Sequence, residues 1–146
     1  MVKGLGNGAM GRIHVDVVVA NNFDVRKHEE GALPADQVRR AKVAGVIDSG
    51  ASYLVLPERV AAKLGVPRAG KATVRYADRR KSSLTVVEDV RVELLGRHGT
   101  FKAIVEPRRR DILIGAIVLE DLDLLVDCRT QTLHPRDPDR IIAEIE

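Results

Sequence analysis

Apolar and polar residues alternate along most of this chain, and the alternation predicts strands. Arg12-Ile13-His14-Val15-Asp16-Val17-Val18-Val19-Ala20 keeps close to a period of two and predicts a first strand. Asn21-Asn22 breaks the pattern. Residues 23–36, polar and charged with Gly31 and Pro34, predict a loop. A second strand is expected over Val38–Ile47, with Ala44-Gly45 a candidate bulge. Tyr53-Leu54-Val55-Leu56 is apolar. Pro57–Gly65 then has proline in its first turn, glycine just past its end, and Val60, Ala61 and Leu64 on one side, which predicts a short amphipathic helix. Lys71–Ala77 and Ser83–Leu95 alternate around the polar tip Asp78-Arg79-Arg80-Lys81 and predict a hairpin. Gly96–Gly99 turns the chain into Thr100–Val105. After a basic loop, Pro107–Arg110, comes Ile112-Leu113-Ile114, a fully apolar run expected to be buried on both faces. A short helix over Ala116–Leu122 and strands at Leu124–Val126 and Thr130–Leu133 complete the pattern.

Three segments follow from this. Residues 1–11 form a glycine-rich leader, 12–134 one domain of mostly β structure, and 135–146 a tail expected outside the core. Gly6-Asn7-Gly8-Ala9-Met10-Gly11 fits a G-x-G-x-x-G pattern, but a dinucleotide site needs a strand before it and a helix after it. Neither is predicted, so a flexible leader is the better reading.

Composition narrows the picture. A chain of 146 residues is long enough for one domain with a real core. Aromatic residues are only 3%, with no Trp, so the core is expected to be aliphatic. Charged residues are 31% with both signs interspersed, and the net charge is +3. That is a mildly basic soluble surface and not the footprint of a dedicated nucleic-acid binder. The single cysteine, Cys128, cannot form an internal disulfide and is expected as a small buried hydrophobe in a reducing compartment. No apolar run reaches 18 residues and Met1-Val2-Lys3 does not open a signal peptide, so a cytoplasmic, membrane-free protein is expected.

The candidate chemistry lies in Val46-Ile47-Asp48-Ser49-Gly50-Ala51. Two β-branched apolar residues deliver a carboxylate to the end of a core strand, and Ser-Gly turns the chain there. Burying an acid is costly unless something uses or satisfies it. An Asp-Ser-Gly triplet alone is weak evidence. It gains weight from Asp111-Ile112-Leu113-Ile114-Gly115, which begins 63 residues after Asp48.

Together these two motifs, with a short helix after the second, resemble the retropepsin-like aspartic proteases, the single-lobe retroviral and bacterial family. The resemblance covers residues 12–134 in layout and is specific in sequence at the two motifs and around Ala77-Asp78. It implies a closed, barrel-like, mostly β single-lobe fold with one or two short helices. It implies that Asp48 is the catalytic aspartate, supported by Ser49, Gly50 and Ala51. It implies that Ile114 and Gly115 lie in the ψ-shaped strand beside the catalytic loop. Ala77, Asp78 and Arg79 would belong to a flap over the substrate.

This chain has no second Asp-Ser/Thr-Gly. Peptide hydrolysis by water needs one group to accept a proton while another donates one. The resemblance therefore implies a homodimer acting on a peptide or protein, with no metal and no organic cofactor. The chain also departs from the family. Viral members pair an acid at the Ser52 position with an arginine at the Ala116 position, and both are absent here. Arg79 stands where bacterial relatives have a flap glycine.

Blander readings sit beside these. Asp48 is also a suitable turn-capping residue. Ser49 has no His arranged in sequence to activate it, so it reads as structural. His14, His28, His98 and His134 are scattered and do not form a metal signature. Arg108-Arg109-Arg110 and Arg79-Arg80-Lys81 read first as solvated surface, with a site for acidic peptide side chains or a weak nucleic-acid patch as the alternatives. No aromatic residues interleave them, so nucleic acid is not expected as a partner. The alternative function is a catalytically quiet, protease-like domain that dimerises or binds peptides.

Overall fold

A computed structural model describes residues 12–146; the leader and its Gly6–Gly11 stretch lie outside the described residues. The strands are β1 (Arg12–Asn21), β2 (Arg40–Asp48), β3 (Leu54–Pro57), β4 (Arg68–Arg75), β5 (Lys81–Leu94), β6 (Arg97–Glu106), β7 (Ile112–Ile114), β8 (Leu124–Asp127) and β9 (Thr132–Pro135). The helices are α1 (Asn22–Glu29), α2 (Glu58–Leu64) and α3 (Ala116–Asp121), with a 3-10 turn at Ala35–Gln37.

Six strands close a barrel in the order β1-β2-β7-β3-β6-β5, and β5 returns to β1. Among the described residues β4 pairs only with β5 and stands outside the ring. The second, smaller sheet is the β8–β9 hairpin. Period-two burial explains the closure. Ile13, Val15, Val17 and Val19 on β1 point inward, as do Val90, Val92 and Leu94 on β5. The core is aliphatic as expected, with Phe101 the aromatic residue in it.

Two differences from the expected strand pattern have physical causes. The candidate bulge at Ala44-Gly45 is not formed, because β1 and β2 stay in register from Arg12↔Asp48 to Ala20↔Arg40. Gly45 instead leaves room for the barrel interior. A Cβ there would lie 3.2 Å from both Ile114 Cδ1 and Val17 Cγ1. The real irregularity lies in β5, whose register against β6 shifts between Val87 and Val90. Asp89 takes φ 60° at that point. The inserted residue resets the alternation, so Val87 and Val90 both face inward although they are three apart. One strand thereby serves the β4–β5 hairpin at one end and the barrel wall at the other.

The expected loop over residues 23–36 begins with a helix, so the described residues hold three short α-helices where one or two were expected. The Asn21-Asn22 break is its N-terminus. The Asn21 side chain accepts from the Asp24 amide at 3.1 Å and donates to the Leu64 carbonyl at 2.9 Å. Asp24 is 5% exposed yet remains charged, because Arg39 clamps it. The Arg39 Nε and Nη2 donate to its two oxygens at 2.7 and 3.0 Å, and the Arg39 amide adds a third bond at 3.0 Å. The side-chain bonds from Arg39 hold the Asp24 carboxyl below its usual range, against the opposing effect of burial.

Asp24→Asn keeps the shape but loses charge-assisted bonds, and about 2 kcal/mol of stability should be lost at pH 7. A group with a lowered folded pKa stabilises above its unfolded pKa and loses that contribution as pH falls through the folded value. The gap between the two proteins should therefore close as the pH drops below about 4, read by urea denaturation at each pH.

Cys128 is exposed, contrary to the buried position expected of it. It sits in the turn between β8 and β9, where the chain is reversing and nothing covers it. The tail beyond Pro135 is exposed but tied down. Arg136 pairs with Asp123 at 2.9 Å, and the Ile142 amide donates to the same carboxylate at 3.0 Å. Among the described residues no helix is long and apolar enough to cross a membrane.

Candidate active site

β2 ends at Asp48, and the register with β1 places Arg12 directly opposite it. Asp48 is half-buried, and Ser49 and Gly50 after it are exposed. The short carboxylate organises its own turn. The Gly50 amide donates to Asp48 Oδ1 at 3.0 Å, and the Ala51 amide donates to the Asp48 carbonyl at 3.1 Å. One carboxylate oxygen is thus held by a backbone N–H.

β7 fixes that turn from below. It runs parallel to β2, with Val46↔Leu113 and Ile47↔Ile114, and antiparallel to β3 at Val55↔Leu113. The strand before the Asp48 loop and the strand after it are joined through β7. Ile114 is fully buried in the core. Gly115 lies beneath the loop so closely that a Cβ would sit 2.6 Å from the Tyr53 carbonyl oxygen and 2.8 Å from that of Ala51. The first amides of α3 then donate into the loop, Ala116 to the Ala51 carbonyl at 2.8 Å and Ile117 to the Ser52 carbonyl at 3.0 Å.

Above the loop stands the β4–β5 hairpin, and between them opens a cleft of about 940 Å³. Asp48, Gly50 and Ala51 lie on one wall, with Val55, Ile104 and Leu113 beside them. Val74, Tyr76, Ala77 and Leu84 face them from the hairpin. Of the residues singled out in sequence, the structure brings Asp48, Gly50, Ala51 and Ala77 to this cleft. Ser49 stands at its edge in chain order but does not line it, and neither do Asp78 and Arg79 at the exposed tip. Ile114 and Gly115 lie beneath the loop.

The tip is a self-contained turn. Tyr76 and Arg80 close it, with the Tyr76 amide donating to the Arg80 carbonyl at 2.9 Å. Asp78 accepts from the Arg80 amide at 3.0 Å and from its Nε at 2.6 Å, and these bonds lower its pKa. Arg80 also lies 4.7 Å from the centroid of the Tyr76 ring. Arg79 adopts φ 69°, the left-handed region that glycine enters freely and other residues at a cost. Arg79→Val should therefore lower stability by about 1 kcal/mol, while Arg79→Gly should not lower it. Thermal denaturation of the two variants checks this. Equal midpoints would show that the tip does not hold this conformation.

Sequence reasoning missed a polar pair in the cleft wall. The Tyr76 hydroxyl donates to Glu106 Oε2, and the Arg108 amide donates to Glu106 Oε1 at 3.1 Å. The bond to Glu106 raises the Tyr76 pKa. Burial pushes the Glu106 carboxyl up, but the Tyr76 and Arg108 bonds and the nearby arginines outweigh it and leave it lowered. The pair links the hairpin to the end of β6. Its members are 30 residues apart in sequence, and no local pattern joins them.

A family model described as aspartyl protease matches residues 37–118. Among solved structures, the EIAV protease complexed with the inhibitor HBY-793 aligns over 81% of this chain and 94% of its own, at 16% identity and a TM-score of 0.53. A retropepsin-like aspartic protease from Rickettsia conorii aligns over 80% of this chain and 77% of its own, at 16% identity and a TM-score of 0.47. No curated protein matches the sequence. At this identity the likeness to the EIAV enzyme is one of fold.

Proposed function

The chain belongs to the aspartyl protease family, and from that premise we propose that it is an aspartic endopeptidase acting as a homodimer. The observation that carries this reading is the placement of Asp48. It ends a core strand, opens into the cleft, and sits on a loop locked by β7 and α3. A single chain supplies one such aspartate. The second carboxylate would be Asp48 of the partner subunit, related by a two-fold axis beside the loop.

Two carboxylates brought to one site hold one proton between them, a sharing for which aspartic proteases are the type case. The ionised carboxylate takes a proton from water as the water oxygen attacks the peptide carbonyl carbon. The protonated one donates to the carbonyl oxygen. Collapse of the tetrahedral intermediate breaks the C–N bond as a proton passes to the leaving nitrogen. Ser49, exposed on the loop, would bond across the axis. Gly50 lets the backbone approach the carboxylate and donate its N–H, and Ala51 leaves room for an extended peptide. The β4–β5 hairpin, with Ala77, Asp78 and Arg79 at its tip, would close over that peptide and exclude water, as lids do on the μs–ms scale. No metal or organic cofactor enters this scheme. The lone, exposed Cys128 suits a reducing compartment such as the cytoplasm.

The test is incubation of the chain with a mixed peptide library, with and without a statine-type transition-state mimic. Cleavage at internal bonds, blocked by the mimic and strongest at acid to near-neutral pH, is the expected result. Peptides bound but left intact would assign the chain to the alternative, a catalytically quiet peptide-binding domain. A rate rising steadily to about pH 9 would contradict a proton shared between carboxylates.

A further inference from the structure

The chain's positive charge is not spread over its surface. Residues 68–81 hold six cations and one acid, and residues 107–111 hold three cations and one acid. These two segments carry +7 in a chain whose net charge is +3, so the remainder carries −4. Both segments border the cleft that holds Asp48.

Three basic residues of these segments line the cleft itself, and Lys102 joins them from outside the segments. Lys71 and Arg75 are on β4, Lys102 is on β6, and Arg109 is in the loop before β7. None of the four has a carboxylate within ion-pair distance among the described residues. The cleft's own acids form no ion pair with them, although Glu106 lies within the field of Arg109. Glu106 has one oxygen engaged by Tyr76 and the other by the Arg108 amide. Asp48 belongs to the catalytic loop.

Arg109 is the best-formed receptor. It is half-buried, and its Nε donates to the Asp111 carbonyl at 3.1 Å, which orients the guanidinium. Its two terminal nitrogens have no partner among the described residues, and that is the fork a carboxylate accepts. On the hairpin, Arg75 lies directly opposite Lys81. Like charges in directly opposed positions repel, and a bound anion relieves that repulsion.

We propose that the cleft selects peptides with acidic side chains flanking the scissile bond, and that Arg109, with Lys71, Arg75 and Lys102, receives them. The inference rests on the endopeptidase reading and adds the substrate class to it. A peptide suits the site better than a nucleic acid. The cleft runs beneath a hairpin whose outer strand, β4, has no second partner strand among the described residues and so offers an edge for strand addition. Of the two tyrosines in the cleft, Tyr76 is already engaged by Glu106 and Arg80, which leaves Tyr53 alone and no run of platforms for successive bases.

Matched peptides cut at the same bond, carrying Glu, Gln or Lys at the flanking positions, test the proposal through ratios of kcat/KM. The Glu peptides should lead the Lys peptides by about tenfold at low salt, and the ratio should shrink toward one near 0.5 M salt. Arg109→Glu should shift the ratio toward the Lys peptides by at least about tenfold. Titration of fluorescent Glu-rich and Lys-rich peptides into Asp48→Asn reads the same preference without turnover. A preference for Glu without any cleavage supports this inference and sinks the catalytic reading alone. Cleavage with no charge preference, or a preference for Lys, overturns this inference alone. Tighter binding of a single-stranded RNA than of the Glu-rich peptide would also overturn it, in favour of a general polyanion surface.

Discussion

Asp48→Asn should abolish peptide cleavage, lowering kcat by at least about 10³-fold, while the protein stays folded. The expectation of a folded variant is specific to this loop. The hydrogen bond that the Asp48 side chain makes here is acceptance of the Gly50 N–H at Oδ1. An Asn oxygen accepts the same N–H in the same place, so the turn survives. The amide cannot take a proton from water, so the general base is lost. Circular dichroism and thermal denaturation should match the parent, and peptide turnover should vanish. Turnover near the parental rate in a folded variant would remove Asp48 from the chemistry.

Gly115→Ala should have the largest effect on structure. The backbone there is extended, with φ −95° and ψ −173°, so any residue can adopt it and the constraint is space. The added methyl would meet the Tyr53 oxygen at 2.6 Å, the Ser52 carbonyl carbon at 2.7 Å and the Ala51 oxygen at 2.8 Å. All three are backbone atoms, and the bonds from Ala116 and Ile117 hold the Ala51 and Ser52 carbonyls in place. No side chain can swing aside, so the Asp48 loop must lift from β7. A loss of about 3 kcal/mol, with most of the peptide cleavage, is the expected result. Gly45→Ala is the control. Its methyl would meet the side-chain ends of Ile114 and Val17 at 3.2 Å, and these can give, so it should cost only about 1 kcal/mol. If Gly115→Ala proves as mild as Gly45→Ala, the loop is not locked from below.

Much of this architecture was legible because alternation and punctuation are local signals. β1, β2, the β4–β5 hairpin, α2 and the buried β7 follow from period-two runs, from Pro57 and Gly65, and from the apolar Ile112-Leu113-Ile114. Asp48 stood out because an acid directly after Val46-Ile47 is costly unless it is used. α1 was hidden because its stability is not local. Its sequence is strongly polar, and Asn21 and Asp24 are held by Leu64 and Arg39, which lie far along the chain or beyond a loop. Glu88-Asp89 marks the β5 bulge between the buried Val87 and Val90, but an acidic pair carries no register information by itself. The Tyr76–Glu106 pair and the convergence of Lys71, Lys102 and Arg109 exist only once β4, β5 and β6 are side by side. Charge position along the chain is legible; charge position around a cleft is a property of the fold.

If the proposed dyad is right, each chain carries half a catalytic site. Mixing the parental protein with Asp48→Asn tests it most directly, at fixed parental concentration and with time for subunits to exchange. If both carboxylates are required, dimers with one Asp48 are silent. Activity should then fall to about half with an equal amount of variant, and to about a tenth with tenfold excess. Activity that stays constant throughout the titration would mean that one chain carries a whole site, and would contradict the account.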